Sequence, residues 1–244
     1  MTPKPADLLR IRQLPLLETT SPETFGSLCA QALVKSFARG AQLTVEGERD
    51  AFLHVLIEGG VEMRSSWDGR GSTLVLLKPP SVFALAPIIL DTPALTTVRT
   101  IMRSRLLLIP GQSFRQAVRL DPGLALAVTE ELSNCYSGVV RELKNHKLRG
   151  GLERLANYLL KQRRRQGDGV AVQLPCRKRV LASLLGMTPE NLSRAFAQLG
   201  AYGVKVDGGL VTLSWPDALA QLAKPDDAEA GRAVFRTGRE RGDL

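Results

Sequence analysis

The residues best placed by type and spacing to do chemistry are Glu190, Ser193 and Arg194. In a helix opening at Pro189, Leu192, Ala195, Phe196 and Leu199 fall at i, i+3, i+4 and i+7 and form one apolar face. Glu190, Ser193, Arg194 and Ala197 then lie on the opposite face. A guanidinium such as that of Arg194 can bond guanine O6 and N7 together, and a carboxylate such as that of Glu190 can accept from a cytosine N4 amino group. The Ser193 hydroxyl can reach a phosphate or a neighbouring base. Together these groups have the chemistry to read base edges in a DNA major groove. The alternative for the same residues is a solvated helix face with a Glu190–Arg194 pair, worth about 0.3 kcal/mol.

Other chemistries lack their residues. His54 and His146 are the only histidines of the chain, and no serine or cysteine nucleophile stands near an identifiable base. A cupin metal centre needs several histidines and a carboxylate on one ion, whereas the strand-rich region holds His54 alone. A glycine-rich phosphate loop is missing as well. The sequence therefore predicts no enzyme, no catalytic residues and no metal site.

The elements that would position the reading face are legible around it. A helix over Lys178–Leu185 ends at Gly186, a residue able to turn left-handed. Thr188 follows as an N-cap and Pro189 as a first helical residue, so two short helices are joined across a three-residue turn. Val204–Val206, Asp207-Gly208-Gly209 and Leu210–Leu213 read as a hairpin, the wing of a winged helix-turn-helix. Arg177, Lys178, Arg179 and Thr188 are candidates for contact with the DNA backbone, and Lys161, Arg163, Arg164 and Arg165 add to the basic surface. The whole chain has 33 Lys and Arg against 24 Asp and Glu, a formal charge of +9, which favours a polyanionic partner.

Upstream the period changes. Ser21-Pro22-Glu23 looks like a helix start. From Leu33 to Pro110 short apolar or alternating runs (Phe52–Ile57, Val61–Met63, Ser72–Leu77, Thr97–Ile101, Arg105–Ile109) predict an antiparallel β-roll or barrel. Helical segments follow over Ser113–Leu120 and Pro122–His146. On the longer one Val128, Leu132, Cys135, Val139, Leu143 and His146 form a stripe. It reads as a dimer seam on the helix joining two domains, the alternative being an ordinary face packed on its own domain. Gly150-Gly151 interrupts it before an amphipathic helix carrying Leu152, Leu155, Leu159 and Leu160. The expected organisation is α+β: a sensor domain over 1–121, a long helix over 122–147, a winged helix-turn-helix over 148–224 and a disordered tail over 225–244. Three scattered cysteines, no signal-peptide core behind Met1 and no long apolar run predict a cytoplasmic protein without a membrane partner.

At this point the sequence resembles the Crp/Fnr superfamily of bacterial regulators over nearly its whole length. The resemblance is carried by Leu181-Ala182-Ser183-Leu184-Leu185-Gly186-Met187-Thr188-Pro189-Glu190-Asn191-Leu192-Ser193-Arg194, by Gly203-Val204, by Phe52 to Val61 and by Ser104 to Pro110. Within the superfamily it looks most like the FtrB-type activators. The resemblance implies a cyclic-nucleotide-binding-like β-roll, a long dimerisation helix and a C-terminal winged helix. It also implies a homodimer that binds double-stranded DNA and works with RNA polymerase. Glu190, Ser193 and Arg194 are similar to the Fnr-type trio, which reads TTGAT half-sites in an inverted repeat.

The sensor half departs from the better-known patterns. Cyclic-nucleotide binders carry Gly-Glu and Arg-Ser pairs where this chain has Ala84-Leu85 and Ala94-Leu95. A phosphate beside those side chains would meet a large desolvation cost, so cyclic AMP is not expected. The four-cysteine iron–sulfur cluster is not expected either. Haem stays open as a ligand, though a structural role is the preferred reading of both histidines. Phe83, Leu85, Leu95 and Thr96 mark the speculative effector pocket, and the effector is unknown. An alternative output is a haem- or small-ligand sensor module that acts by ligand-gated dimer rearrangement.

Overall fold

The computed structural model describes residues 4–225, so apart from Pro225 the tail expected over 225–244 lies outside the described residues. The chain divides into two compact units, with the boundary between Gly138 and Val139.

The first unit opens with three helices, each with a proline in its first turn: α1 (Pro5–Arg12), α2 (Pro15–Glu18) and α3 (Pro22–Gln31). The Ser21 hydroxyl caps α3 by accepting from Thr24 N. Prolines spaced this closely look like helix breakers in a sequence, yet each sits in a first turn, where its missing N–H has no cost. Asp7 of α1 is buried and meets the Arg105 guanidinium at 2.7 Å, which also holds Glu58 at 2.7 Å.

Next come β1 (Leu33–Phe37), β2 (Gln42–Thr44), β3 (Phe52–Glu58), β4 (Val61–Trp67), β5 (Arg70–Leu77), β6 (Ser81–Phe83), α4 (Leu85–Leu90), β7 (Thr97–Thr100) and β8 (Ser104–Pro110). The strands pair antiparallel into two four-stranded sheets, ordered β1-β8-β3-β6 and β2-β7-β4-β5. Alternation along β3 separates two apolar clusters. Leu53, Val55 and Ile57 pack with Leu14, Leu17, Leu28 and Phe114 on the helical side. Leu56 instead packs with Val61, Leu77, Phe83, Val98, Leu106 and Leu108. The β-roll thus has a filled interior and an apolar back.

Helix α5 (Gly111–Leu120) leads to α6 (Pro122–Leu148). Asp121 starts α6, its carboxylate accepting from Leu124 N at 3.0 Å and Ser21 N at 2.9 Å. Those bonds hold its carboxyl down at about 2, the Leu124 and Ser21 amides contributing most. The unit boundary falls inside α6.

The second unit contains the rest of α6, then α7 (Gly151–Arg165), β9 (Ala171–Gln173), α8 (Lys178–Leu184), α9 (Pro189–Leu199), β10 (Val204–Asp207), β11 (Leu210–Leu213) and α10 (Pro216–Ala223). Its sheet runs β10-β11-β9, all antiparallel. Leu155 and Leu159 of α7, Leu181 of α8, Leu192 and Leu199 of α9, Val211 and Leu219 form its core. Asn157 of α7 donates to Ala223 O at 2.7 Å, closing α10 onto α7. The whole is α+β: a β-roll domain, a long helix and a winged helix-turn-helix.

Candidate nucleic-acid interface

Helix α8 ends one residue before the expected Leu185, and the turn to α9 is Leu185-Gly186-Met187-Thr188. Gly186 takes φ +62°, and a Cβ there would stand 3.0 Å from the His146 ring, so both backbone and space call for glycine. Met187 N donates to Ala182 O at 2.8 Å and closes the turn. Thr188 is the N-cap of α9, its hydroxyl accepting from Asn191 N at 3.2 Å, with Pro189 next in the first turn.

Leu192, Ala195, Phe196 and Leu199 are buried, which fixes the rotation of α9. Glu190, Ser193, Arg194 and Ala197 are all exposed, so the structure brings the three reading candidates onto one open face. The Glu190 carboxyl is held below the ordinary carboxylate range by its own backbone N–H, then by the Thr188 hydroxyl and Arg194. At neutral pH that face therefore offers an anionic acceptor one helical turn from a guanidinium donor.

Arg177 is the N-cap of α8, and Arg177, Lys178 and Arg179 are exposed. The Lys178 ammonium sits over the Phe196 ring, 5.7 Å from its centre, a cation–π contact between α8 and α9. Arg163 is committed locally, donating to Gly169 O at 3.1 Å and Asp168 O at 2.7 Å. The wing pairs Val206 with Val211 and Asp207 with Leu210, and turns through Gly208 at φ +56°.

The remaining candidates separate. Val128 is buried in the core of its own unit beside Leu124 and Ala127, and Leu132 packs at the margin of that core. Cys135 is half-buried, its thiol pushed up to about 12 by burial and then by Glu131. Val139 and Leu143 are exposed, as is Tyr136. The apolar stripe of α6 thus passes along its length from buried at Val128 to open at Val139 and Leu143, with Tyr136 exposed beside it.

In the sensor, Phe83 belongs to the filled interior of the roll, whereas Leu85 packs in the cluster on the helical side. Leu95 is 70% exposed and Thr96 half-buried. His54 is buried, stacked on Phe83 with ring centres 4.8 Å apart, and its Nδ1 lies 3.5 Å from Asp50 Oδ2. Burial drives its pKa down against the opposing pull of Asp50. The other histidine, His146, lies against Gly186. Among the described residues no three His, Cys, Asp or Glu side chains group as metal ligands, and no helix is long and apolar enough to cross a membrane. No disulfide joins the three cysteines among the described residues.

Two features escaped the sequence reading. Helix α10, announced by Pro216 and by the spacing of Leu219, Leu222 and Ala223, packs on α7, and Trp215 before it lies against Gly203. Arg154 on α7 reaches both ends of the α6–α8 region, and nothing in its spacing marks it.

With this geometry in hand, comparison with known proteins is direct. Residues 34–121 match the cyclic nucleotide-binding domain and residues 153–222 the Crp-like helix-turn-helix domain. A putative cAMP-binding regulatory protein from Silicibacter pomeroyi DSS-3 is 26% identical over 91% of this chain and 100% of its own, with a TM-score of 0.59. FixK2 from Bradyrhizobium japonicum is 23% identical over 78% of this chain and 96% of its own, at 0.66. A putative Crp/Fnr-family transcriptional regulator from Eubacterium rectale is 17% identical over 88% and 100%, at 0.70, a likeness of fold. No curated sequence matches the chain. Fold and site together define a transcription regulator that joins a cyclic nucleotide-binding domain to a Crp-like helix-turn-helix. The chain belongs to the Crp/Fnr family.

Proposed function

We propose that this chain acts as a homodimeric, sequence-specific DNA-binding activator with an Fnr-type recognition helix, most like the FtrB-type branch. The observation that carries the reading is the joint exposure of Glu190, Ser193 and Arg194 on α9, opposite a fully buried apolar face. In this reading Arg194 bonds a guanine, Glu190 accepts from a cytosine, and Ser193 takes a phosphate or adjacent base. Arg177, Lys178, Arg179 and Thr188 hold the backbone and set affinity without reading sequence.

A two-fold dimer formed along the exposed Tyr136, Val139 and Leu143 would place two α9 helices on an inverted TTGAT repeat. RNA polymerase is the second partner, the cytoplasm the compartment, and no step requires an enzyme. The sensor takes no cyclic nucleotide in this account. Leu85, at the position where binders carry a carboxylate, is buried among apolar side chains, and Ala94, at the position where they carry a guanidinium, is buried and has no cation to offer. A buried phosphate there would lack a charge-assisted partner. Another signal, or protein level alone, would bias the packing of α6 and with it the setting of the two recognition helices.

Fluorescence anisotropy of the full-length protein on a TTGAT-N4-ATCAA duplex against a scrambled duplex, without added effector, tests the reading. Sequence-dependent binding is expected. Equal affinity for the two duplexes would refute the inferred half-site.

A further inference from the structure

The joint between α6 and α7 carries Gly150-Gly151, where two glycines would ordinarily leave the backbone free to swing. The second unit instead ties this joint down from several directions. Arg154 of α7 spans two carbonyl oxygens: one guanidinium nitrogen, Nη1, donates to Arg149 O at 2.7 Å, and Nε donates to Leu185 O at 3.0 Å. Arg149 immediately follows α6 and Leu185 is the C-cap of α8. Carbonyls at helix C-termini lack intrahelical partners and carry the negative end of the dipole, so one guanidinium satisfies two helix ends at once.

Neighbouring contacts close the same elbow. The Met187 methyl packs directly on Gly151, so that a side chain there would have to displace it. His146, in the last turn of α6, lies against Gly186 of the turn. Gly150 N donates to Glu153 Oε2 at 2.7 Å. Arg149 in turn donates to Asn145 Oδ1 at 3.2 Å and to Lys224 O, the end of α10, at 2.8 Å.

We infer that Arg154 is a positioning residue for base reading: it locks the end of α6 to the turn that aims α9, so the recognition helix inherits its bearing from α6. The inference rests on the reading of α9 as the DNA-reading helix. It demands a fork, because two carbonyls on separate segments need two N–H groups in one rigid plane. A lysine ammonium supplies the charge but not that plane.

The test compares full-length wild type, Arg154→Lys and Arg154→Gln on a duplex enriched by the wild type from a randomised pool and on a scrambled duplex. Peptide-level hydrogen exchange is followed in the free proteins. Both variants are expected to lose about tenfold in the ratio of specific to scrambled affinity, comparable to one mismatched base pair. Arg154→Lys should keep its affinity for the scrambled duplex. In both variants exchange should quicken together in the 148–151 and 183–188 segments. Wild-type discrimination by Arg154→Lys would overturn the inference, since charge alone would then suffice. Faster exchange spread evenly over the second unit would also overturn it, reducing Arg154 to general stability. Failure of the wild type to enrich any sequence would instead refute the DNA-reading assignment beneath it.

Discussion

Replacing Gly203 with alanine should destabilise the second unit through two separable effects. Gly203 stands at φ +77°, a region that costs an L-residue about 1 kcal/mol. An added Cβ would also lie 2.8–3.0 Å from Cδ2, Cγ and Cε3 of Trp215. The indole is 57% exposed, so it can swing outward, and overpacking of that modest kind costs about 1 kcal/mol more. Gly203→Ala is therefore expected to cost about 2 kcal/mol in all, and about 1 kcal/mol in a Trp215→Ala background where the ring is gone. Gly208→Ala serves as the control: it has φ +56° and nothing within 4 Å of its added Cβ, so only the backbone part, about 1 kcal/mol, applies. Urea unfolding followed by far-UV circular dichroism gives each difference without relying on the tryptophan signal. Equal costs for Gly203→Ala with and without Trp215 would refute the steric half of the reasoning. A cost below that of Gly208→Ala would refute both halves.

Thr188→Ala removes the N-cap of α9 and should lower stability by about 1 kcal/mol, read from the urea midpoint; an unchanged midpoint would deny the cap its role. The Asp121 carboxyl titrates at about 2 in the folded chain, below its ordinary value of 3.8. Its stabilisation is thus complete above about pH 4 and is lost as pH falls through about 2. Asp121→Asn should flatten that part of the acid-unfolding profile, and an unaltered profile would contradict the bonds to Leu124 and Ser21. With its thiol at about 12, Cys135 should resist iodoacetamide at pH 8 in the folded protein and react after denaturation. Mass spectrometry of timed samples decides, and rapid labelling of the folded chain would contradict its burial.

The helix-turn-helix was the most legible part of the molecule because its punctuation is local. Gly186, Thr188 and Pro189 set the turn, and the 3.6-residue spacing from Leu192 to Leu199 sets the buried face. Glu190, Ser193 and Arg194 then followed by elimination. Most strands announced themselves by composition, whereas β2, β6 and β9 have three residues each, and β1, mostly exposed or half-buried, takes its pairing from β8, distant in sequence. On α6 the stripe was legible and its burial was not: the same face is buried at Val128 and exposed at Val139, and periodicity alone does not say where along the helix one gives way to the other. Phe83 and Leu85, two residues apart, fall in different apolar clusters, a separation that spacing alone does not announce. Arg154 had no sequence signal, because its partners are backbone carbonyls, which look alike at every position.

The central claim is that Arg194 reads a guanine. It is tested most directly by measuring wild type and Arg194→Ala on the TTGAT inverted repeat and on the same duplex with both half-site G·C pairs changed to A·T. Wild type should lose about 1–3 kcal/mol per guanine contact on the altered duplex, whereas Arg194→Ala, already weakened, should bind the two duplexes alike. If the variant lost as much as wild type on that change, the guanine would be read by another group and the account would fail.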